Sequence, residues 1–169
     1  FFNGSIDEVK IFNRALSDKE ILYDYNAGLA KKSSKWATVN WVESIDAGSL
    51  GPLDKNLVGY WRFQEGSGTT ANDSSGRGNI GTLTNFANTT LDFNSASGWS
   101  SNGRKGNGIV FDGSNDFVSI VDTNVLDGNV SKLTVAGWFK AYSIIGTPLI
   151  VGEIGAYNCY LVSSKLKCC

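Results

Sequence analysis

Two adjacent carboxylates, Asp7 and Glu8 in Ser5-Ile6-Asp7-Glu8-Val9, are the first residues with chemical potential. Carboxylates that share acid and nucleophile work on a strand stand at alternating positions, so that both face one cleft. Adjacent ones on a regular strand face opposite sides, and no Glu-x-Asp-x-x-Glu run occurs. A second candidate is Asp73-Ser74-Ser75-Gly76, which joins a carboxylate to a turn. Calcium takes several oxygens from such a flexible loop, backbone carbonyls included. The same residues also make an Asx turn with no ion, and both readings stand. Asp112 and Asp116 flank Gly113 in the pattern of a hairpin turn. Histidine is absent. That removes the commonest general base and the usual partner of a Ser or Cys nucleophile. The chain reads as non-catalytic.

All three cysteines fall in the last eleven residues, which suggests a local clasp. If Ser163 and Ser164 form a two-residue turn, Val162 faces Lys165 and successive pairs bring Cys159 opposite Cys168. That pair falls at a non-hydrogen-bonded position, where Cα atoms approach to about 4.5 Å, within disulfide range. A bridge there implies an oxidising compartment. Ser-Ser is not a favoured turn, so a register slip to Cys169, or two reduced core thiols, stay open.

The elements that position these residues read mainly as strands. Residues 5–12 form a half-buried strand. A short helix follows, with Ser17 and Glu20 as a capping box, Leu16 and Ile21 as a staple, Ile21, Leu22 and Tyr25 as an apolar stripe, and Gly28 as the C′ residue. Residues 29–56 are a linker by composition. Trp36, Val39, Trp41, Val42 and Ile45 are nonetheless too apolar for a free tether, so part of it is expected to dock. Strand signals then recur at 57–63, 108–111, 117–121, 133–140 and 149–153, bounded by Gly, Asn, Asp or Ser. Such a succession favours antiparallel sheets stacked face to face. Trp61 and Trp138 lie within these strands and are expected in the core. Trp99, in Ser97-Gly98-Trp99-Ser100, is either an exposed residue stacking on sugar rings or a packing plug.

Composition agrees with an all-β chain: 20 Gly, 12% aromatics and 2 Pro in 169 residues. Fifteen basic and sixteen acidic residues are scattered to a net charge of -1, leaving no basic stripe for nucleic acid. No apolar run reaches the length of a membrane span, and Phe1 does not open a signal peptide.

Two stretches together resemble the laminin-G-like family of concanavalin A-like jelly rolls. Phe2-Asn3-Gly4-Ser5-Ile6-Asp7-Glu8-Val9-Lys10-Ile11-Phe12-Asn13-Arg14-Ala15-Leu16-Ser17 is similar to the family's last strand and closing helix. Leu57-Val58-Gly59-Tyr60-Trp61-Arg62-Phe63-Gln64-Glu65-Gly66-Ser67-Gly68, continued through Asp73-Ser74-Ser75-Gly76-Arg77-Gly78-Asn79, is similar to its first strand and glycine-rich loop. Phe111-Asp112-Gly113, Asp116-Phe117-Val118 and Leu133-Thr134-Val135-Ala136-Gly137-Trp138-Phe139 resemble its middle strands. The resemblance implies an antiparallel two-sheet jelly-roll sandwich with one short helix near the N-terminus. Because an end motif precedes a start motif, it also implies tandem units: residues 1–28 close a first, and 57–169 begin a second. A structural calcium ion held near Asp73 and Gly76, and near the closing strand that carries Asp7, is a further implication.

The expected function is that of a non-catalytic extracellular or cell-surface module, serving adhesion or structural assembly with neighbouring laminin-G-like domains or copies of itself. The alternatives are a carbohydrate-binding module of a larger enzyme, with Trp99 as ligand-binding residue, and a filament subunit joined by strand exchange. Sequons at Asn3, Asn72, Asn88 and Asn129 fit a surface glycoprotein, with Asn88 the best placed. Asn, Ser and Thr are so frequent here that the number of sequons decides nothing.

Overall fold

The computed structural model describes residues 1–29, 56–121, 132–153, 157–162 and 165–168. Its central element is strand β1 (Asn3–Phe12), read from the sequence as a half-buried strand. One edge of β1 pairs with β9 (Thr134–Ser143) from Asn3↔Ser143 to Phe12↔Thr134. The opposite edge has two partners in succession: β7 (Gly106–Asp112) alongside residues 3–6, then β2 (Leu57–Trp61) alongside residues 9–12. Beyond β7 lie β6 (Gly98–Gly103) and β5 (Asn88–Asp92), which complete a six-stranded sheet. Two three-stranded sheets accompany it. One is β3 (Thr70–Ala71), β4 (Gly81–Thr84) and β8 (Phe117–Ile120); the other is β10 (Leu149–Glu153), β11 (Tyr157–Val162) and β12 (Lys165–Cys168).

The chain is therefore mostly β, with antiparallel sheets and one helix among the described residues. A wholly antiparallel arrangement fails at one place: β5 and β6 run parallel, with Asn88↔Gly98 and Asp92↔Ser100 in register. Residues 93–97 return the chain to the level of Asn88, and close approach there requires glycine. Gly98 has φ +116°, and a Cβ on it would lie 1.8 Å from the Asn88 carbonyl oxygen. The polar segment around Asn88, which carries no strong strand pattern, is thus an edge strand.

Residues 1–28, expected to close a first unit, here supply the middle of the sheet built by strands after residue 56. Most of the linker, 30–55, lies outside the described residues, as does Asn129. Strands from all three sheets enter one core: Ile6, Ile11, Val58, Trp61, Ile109 and Phe111 from the large sheet, Ala71 and Leu83 from the second, Leu161 from the third.

Helix α1 (Asp18–Leu29) begins as the sequence directs. Ser17 N donates to Glu20 Oε2 at 2.8 Å, and Glu20 N donates to Ser17 Oγ at 3.4 Å, the reciprocal pair of a capping box. Its other signals are used differently. Ile21, Leu22 and Tyr25, expected to bury, are all about half exposed. Gly28 does not terminate the helix but lies inside it against Trp138, where a Cβ would sit 2.4 Å from the indole nitrogen. Tyr25 stacks on the same indole at 5.4 Å between centroids. A helix too short to persist alone is held by this aromatic contact rather than by an apolar stripe.

The tryptophans redistribute accordingly. Trp61 is 1% exposed, as expected of a core strand residue. Trp99 is 0% exposed, on β6; its indole N–H donates to Gly68 O at 2.7 Å and its ring lies beside Phe63. It is a packing plug, so its assignment as an exposed ligand-binding residue does not stand. The glycine and serine around it permit close packing instead of marking an exposed loop. Trp138, expected in the core, is only half-buried, between Tyr25 and the Arg104 guanidinium.

Single-tryptophan variants read by a neutral quencher should show Trp138 accessible and Trp61 and Trp99 protected. Trp99→Ala should cost about 3–5 kcal/mol of unfolding free energy, the usual range for emptying a buried Trp site. Quenching of Trp99 as efficient as that of free indole would contradict this packing.

Candidate functional site

The carboxylates of β1 stand where the strand changes neighbours. Between residues 6 and 9 the edge passes from β7 to β2, and the register with β9 shifts between Asp7 and Lys10. Glu8 absorbs the irregularity with φ +55°, a left-handed conformation that costs a non-glycine residue roughly 1–3 kcal/mol. This is bulge geometry, which interrupts the regular ladder at these two residues. Asp7 and Glu8 are both buried, each 3% exposed.

Each carboxylate reaches one of the two successive neighbours. Lys105 N, in the turn entering β7, donates to Asp7 Oδ2 at 2.8 Å. The Tyr60 hydroxyl of β2 donates to Glu8 Oε2. The second oxygens, Asp7 Oδ1 and Glu8 Oε1, are buried without a hydrogen-bond partner, although Arg62 Nε lies 3.7 Å from Glu8 Oε1. Burial dominates the acidity of Asp7: desolvation, reinforced by the Glu8 charge, outweighs the Lys105 hydrogen bond and lifts its pKa from 3.8 to about 6. Burial and the hydrogen bond to Glu8 likewise raise the Tyr60 phenol.

Around this centre lies a cavity of about 440 Å³ between α1 and the sheets, lined by Glu8, Lys10, Asp24 and Tyr25 among apolar residues such as Val135 and Ile150. Lys10 Nζ contacts Asp24 Oδ1 and lies 5.0 Å from the Tyr60 ring centroid. Arg14 clasps Glu20 through two hydrogen bonds, 2.6 and 3.0 Å. Those bonds, with the Ser17 cap, pull the Glu20 carboxyl down to about 2.

Asp73 is placed by the loop after β3. Oδ1 accepts from Tyr60 N at 2.9 Å and Ser75 N at 2.8 Å; Oδ2 accepts from Ser75 Oγ at 2.8 Å and Asn79 N at 3.0 Å. Burial alone would raise its pKa, but the hydrogen bonds from Ser75, Asn79 and Tyr60 prevail and hold it below the usual value. The loop is tied further: Asn79 Nδ2 donates to Val58 O, and the Trp61 indole N–H donates to Asn79 O. Asp73 therefore forms the Asx turn that its sequence allowed, and pins it to β2. Gly76, exposed at φ +80°, turns the loop.

The fit to calcium is poor in this arrangement. Four N–H and O–H donors already face the Asp73 oxygens, and a cation would have to displace them. Asp7 is bound to the β7 turn, whereas Glu8 is the residue that meets Tyr60. Among the described residues, no three Asp, Glu, His or Cys side chains gather as a ligand set.

The remaining sequence candidates are dispersed. Asp112 and Asp116 do make a turn: Asp116 Oδ2 accepts from Asp112 N and Ser97 Oγ, both at 2.8 Å. It joins strands of different sheets rather than a hairpin. Asn3 is committed to the fold, its side chain donating to Asp112 O at 2.6 Å. Asn72 is exposed, and the Asn88 amide oxygen accepts from Thr90 N and Oγ1 at 2.9 and 2.8 Å. In the β11–β12 hairpin the register is Val162↔Lys165 and Cys159↔Cys168, as the turn arithmetic gives. Lys10, Asp24 and Tyr60 were not singled out from the sequence, and Glu8 only as the neighbour of Asp7. The only signal was the Asp7-Glu8 adjacency, which a regular strand would have split between two faces.

No protein-family model, curated protein or solved structure matches the chain.

Because Asp7 is more basic folded than unfolded, its neutral form is the one the fold prefers. Its contribution is fully present below its ordinary pKa of 3.8 and is lost as pH rises through about 6. The shift corresponds to about 3 kcal/mol of stability. Chemical denaturation across that window should show this loss, and Asp7→Asn should flatten it; identical pH profiles for parent and variant would refute the assignment. Asp73→Ala should cost about 2 kcal/mol by stranding the backbone donors of Tyr60, Ser75 and Asn79. The parent melting temperature should be the same with calcium or chelator. A calcium-dependent rise, absent in Asp73→Ala, would instead place an ion at this loop.

Proposed function

We propose that the chain is a non-catalytic module of an extracellular or cell-surface protein that associates with copies of itself or with neighbouring laminin-G-like domains. The observation that carries this reading is the outward face of α1. Leu22 is 58% exposed, Tyr25 51% and Tyr23 46%, and Phe139 and Tyr142 are exposed on β9, whose Trp138 stacks on the helix. Apolar and aromatic surface of this kind marks contact with another protein. The two-sheet jelly-roll architecture belongs to the same proposal. It is supported by the common core shared between the six-stranded sheet and the two smaller ones.

An oxidising location is supported by the Cys159↔Cys168 register, at which we place a disulfide. No described helix is long and apolar enough to cross a membrane. Strand exchange is the second reading, favoured by one feature: every described strand that pairs with β1 comes after residue 56. The carbohydrate-binding reading loses the aromatic it named, because Trp99 is enclosed.

Light scattering across a concentration series should give a particle larger than the 18.2 kDa chain. Leu22→Glu should return it to that mass without loss of secondary structure. A parent protein that stays monomeric throughout would overturn self-association through this face.

A further inference from the structure

We propose that Lys10 and Asp24 join through an intramolecular amide bond that staples α1 to β1, with Glu8 carrying the proton. The two side chains come from different elements, yet Lys10 Nζ rests against a carboxylate oxygen of Asp24. They are largely withdrawn from water, 17% and 19% exposed. The Tyr60 ring covers the ammonium at 5.0 Å. An ion pair of that kind needs no third group. Here there is one: Glu8 lines the same cavity as Lys10 and Asp24, is 3% exposed, and holds Oε1 without a hydrogen-bond partner. Its other oxygen accepts from the hydroxyl of Tyr60, the same residue whose ring covers the ammonium. The one charge near Oε1 among the described ion pairs is the Arg62 guanidinium, at 3.7 Å and half exposed.

The reaction balances within the chain. A proton passes from the ammonium to the Asp24 carboxylate, which leaves an amine facing a carboxylic acid. The amine nitrogen attacks Cγ of Asp24 and a C–N bond forms. Glu8 accepts the proton released by that nitrogen and returns it to the departing hydroxyl, which leaves as water as the C–O bond breaks. Nothing is oxidised or reduced, Glu8 ends as it began, and one water is lost. Burial and fixed contact supply the orientation that makes an amine and a carboxyl react without prior activation. The bond would close a loop between positions 10 and 24 and hold the short helix onto the central strand.

Intact mass of the full chain, denatured, reduced and alkylated, tests the bond directly. The parent should be lighter than its sequence mass by one water, and digestion should yield a branched peptide joining Lys10 to Asp24. Lys10→Arg retains the ion pair without a reactive amine and should show the full mass. Asp24→Ala should also show it, and Glu8→Gln should be full-length in mass while keeping the parent's circular dichroism. A parent of full sequence mass overturns the proposal. So does a missing water that persists in Lys10→Arg, which would mark dehydration elsewhere, for example at Asp112-Gly113. Should the variants fail to fold, the parent mass and the branched peptide decide alone.

Discussion

The fold depends on a single strand that satisfies three neighbours with two edges. β1 pairs with β9 on both sides of the irregularity at Glu8, and its other edge serves β7 and then β2. A regular ladder cannot hand an edge from one strand to another without leaving backbone groups and space at the changeover. The left-handed Glu8 makes the bend, and the two carboxylates fill the gap, Asp7 toward the turn before β7 and Glu8 toward β2. Polar atoms buried with only half of their valence used are costly. They persist because the strands on every side fix the backbone that carries them.

The Asp73 loop plays a complementary part on the next strand. Its carboxylate caps Tyr60 N, while Asn79 bonds β2 and takes the Trp61 indole N–H, so loop, strand and core residue are set together. Tyr60 thus stands between the two networks, its backbone held by Asp73 and its phenol bound to Glu8. A disturbance in either has a short covalent path to the other.

Much of this was legible where local chemistry decides. The capping box at Ser17 and Glu20, the register at Cys159 and Cys168, and the burial of Trp61 follow from short-range geometry alone. The residues misread are those whose neighbours arrive from far along the chain. Trp99 among small polar residues looks like a loop aromatic until Phe63 and Gly68 close over it. Gly28 looks like a helix stop until Trp138 occupies the space its missing Cβ leaves. Asp7 and Glu8 look like residues of opposite faces because periodicity presumes an unbroken strand.

The order of β1 in the chain has a consequence for biosynthesis. It is made before every described strand that pairs with it, and the last of these, β9, ends at Ser143. At ribosomal rates of roughly 5–20 residues per second, its full complement of partners is delayed by on the order of ten seconds. During that time a strand with at least one open edge is exposed, the state in which chains pair with the wrong neighbour. Assembly of this sheet thus requires one edge of β1 to stay unengaged until β9 has been made.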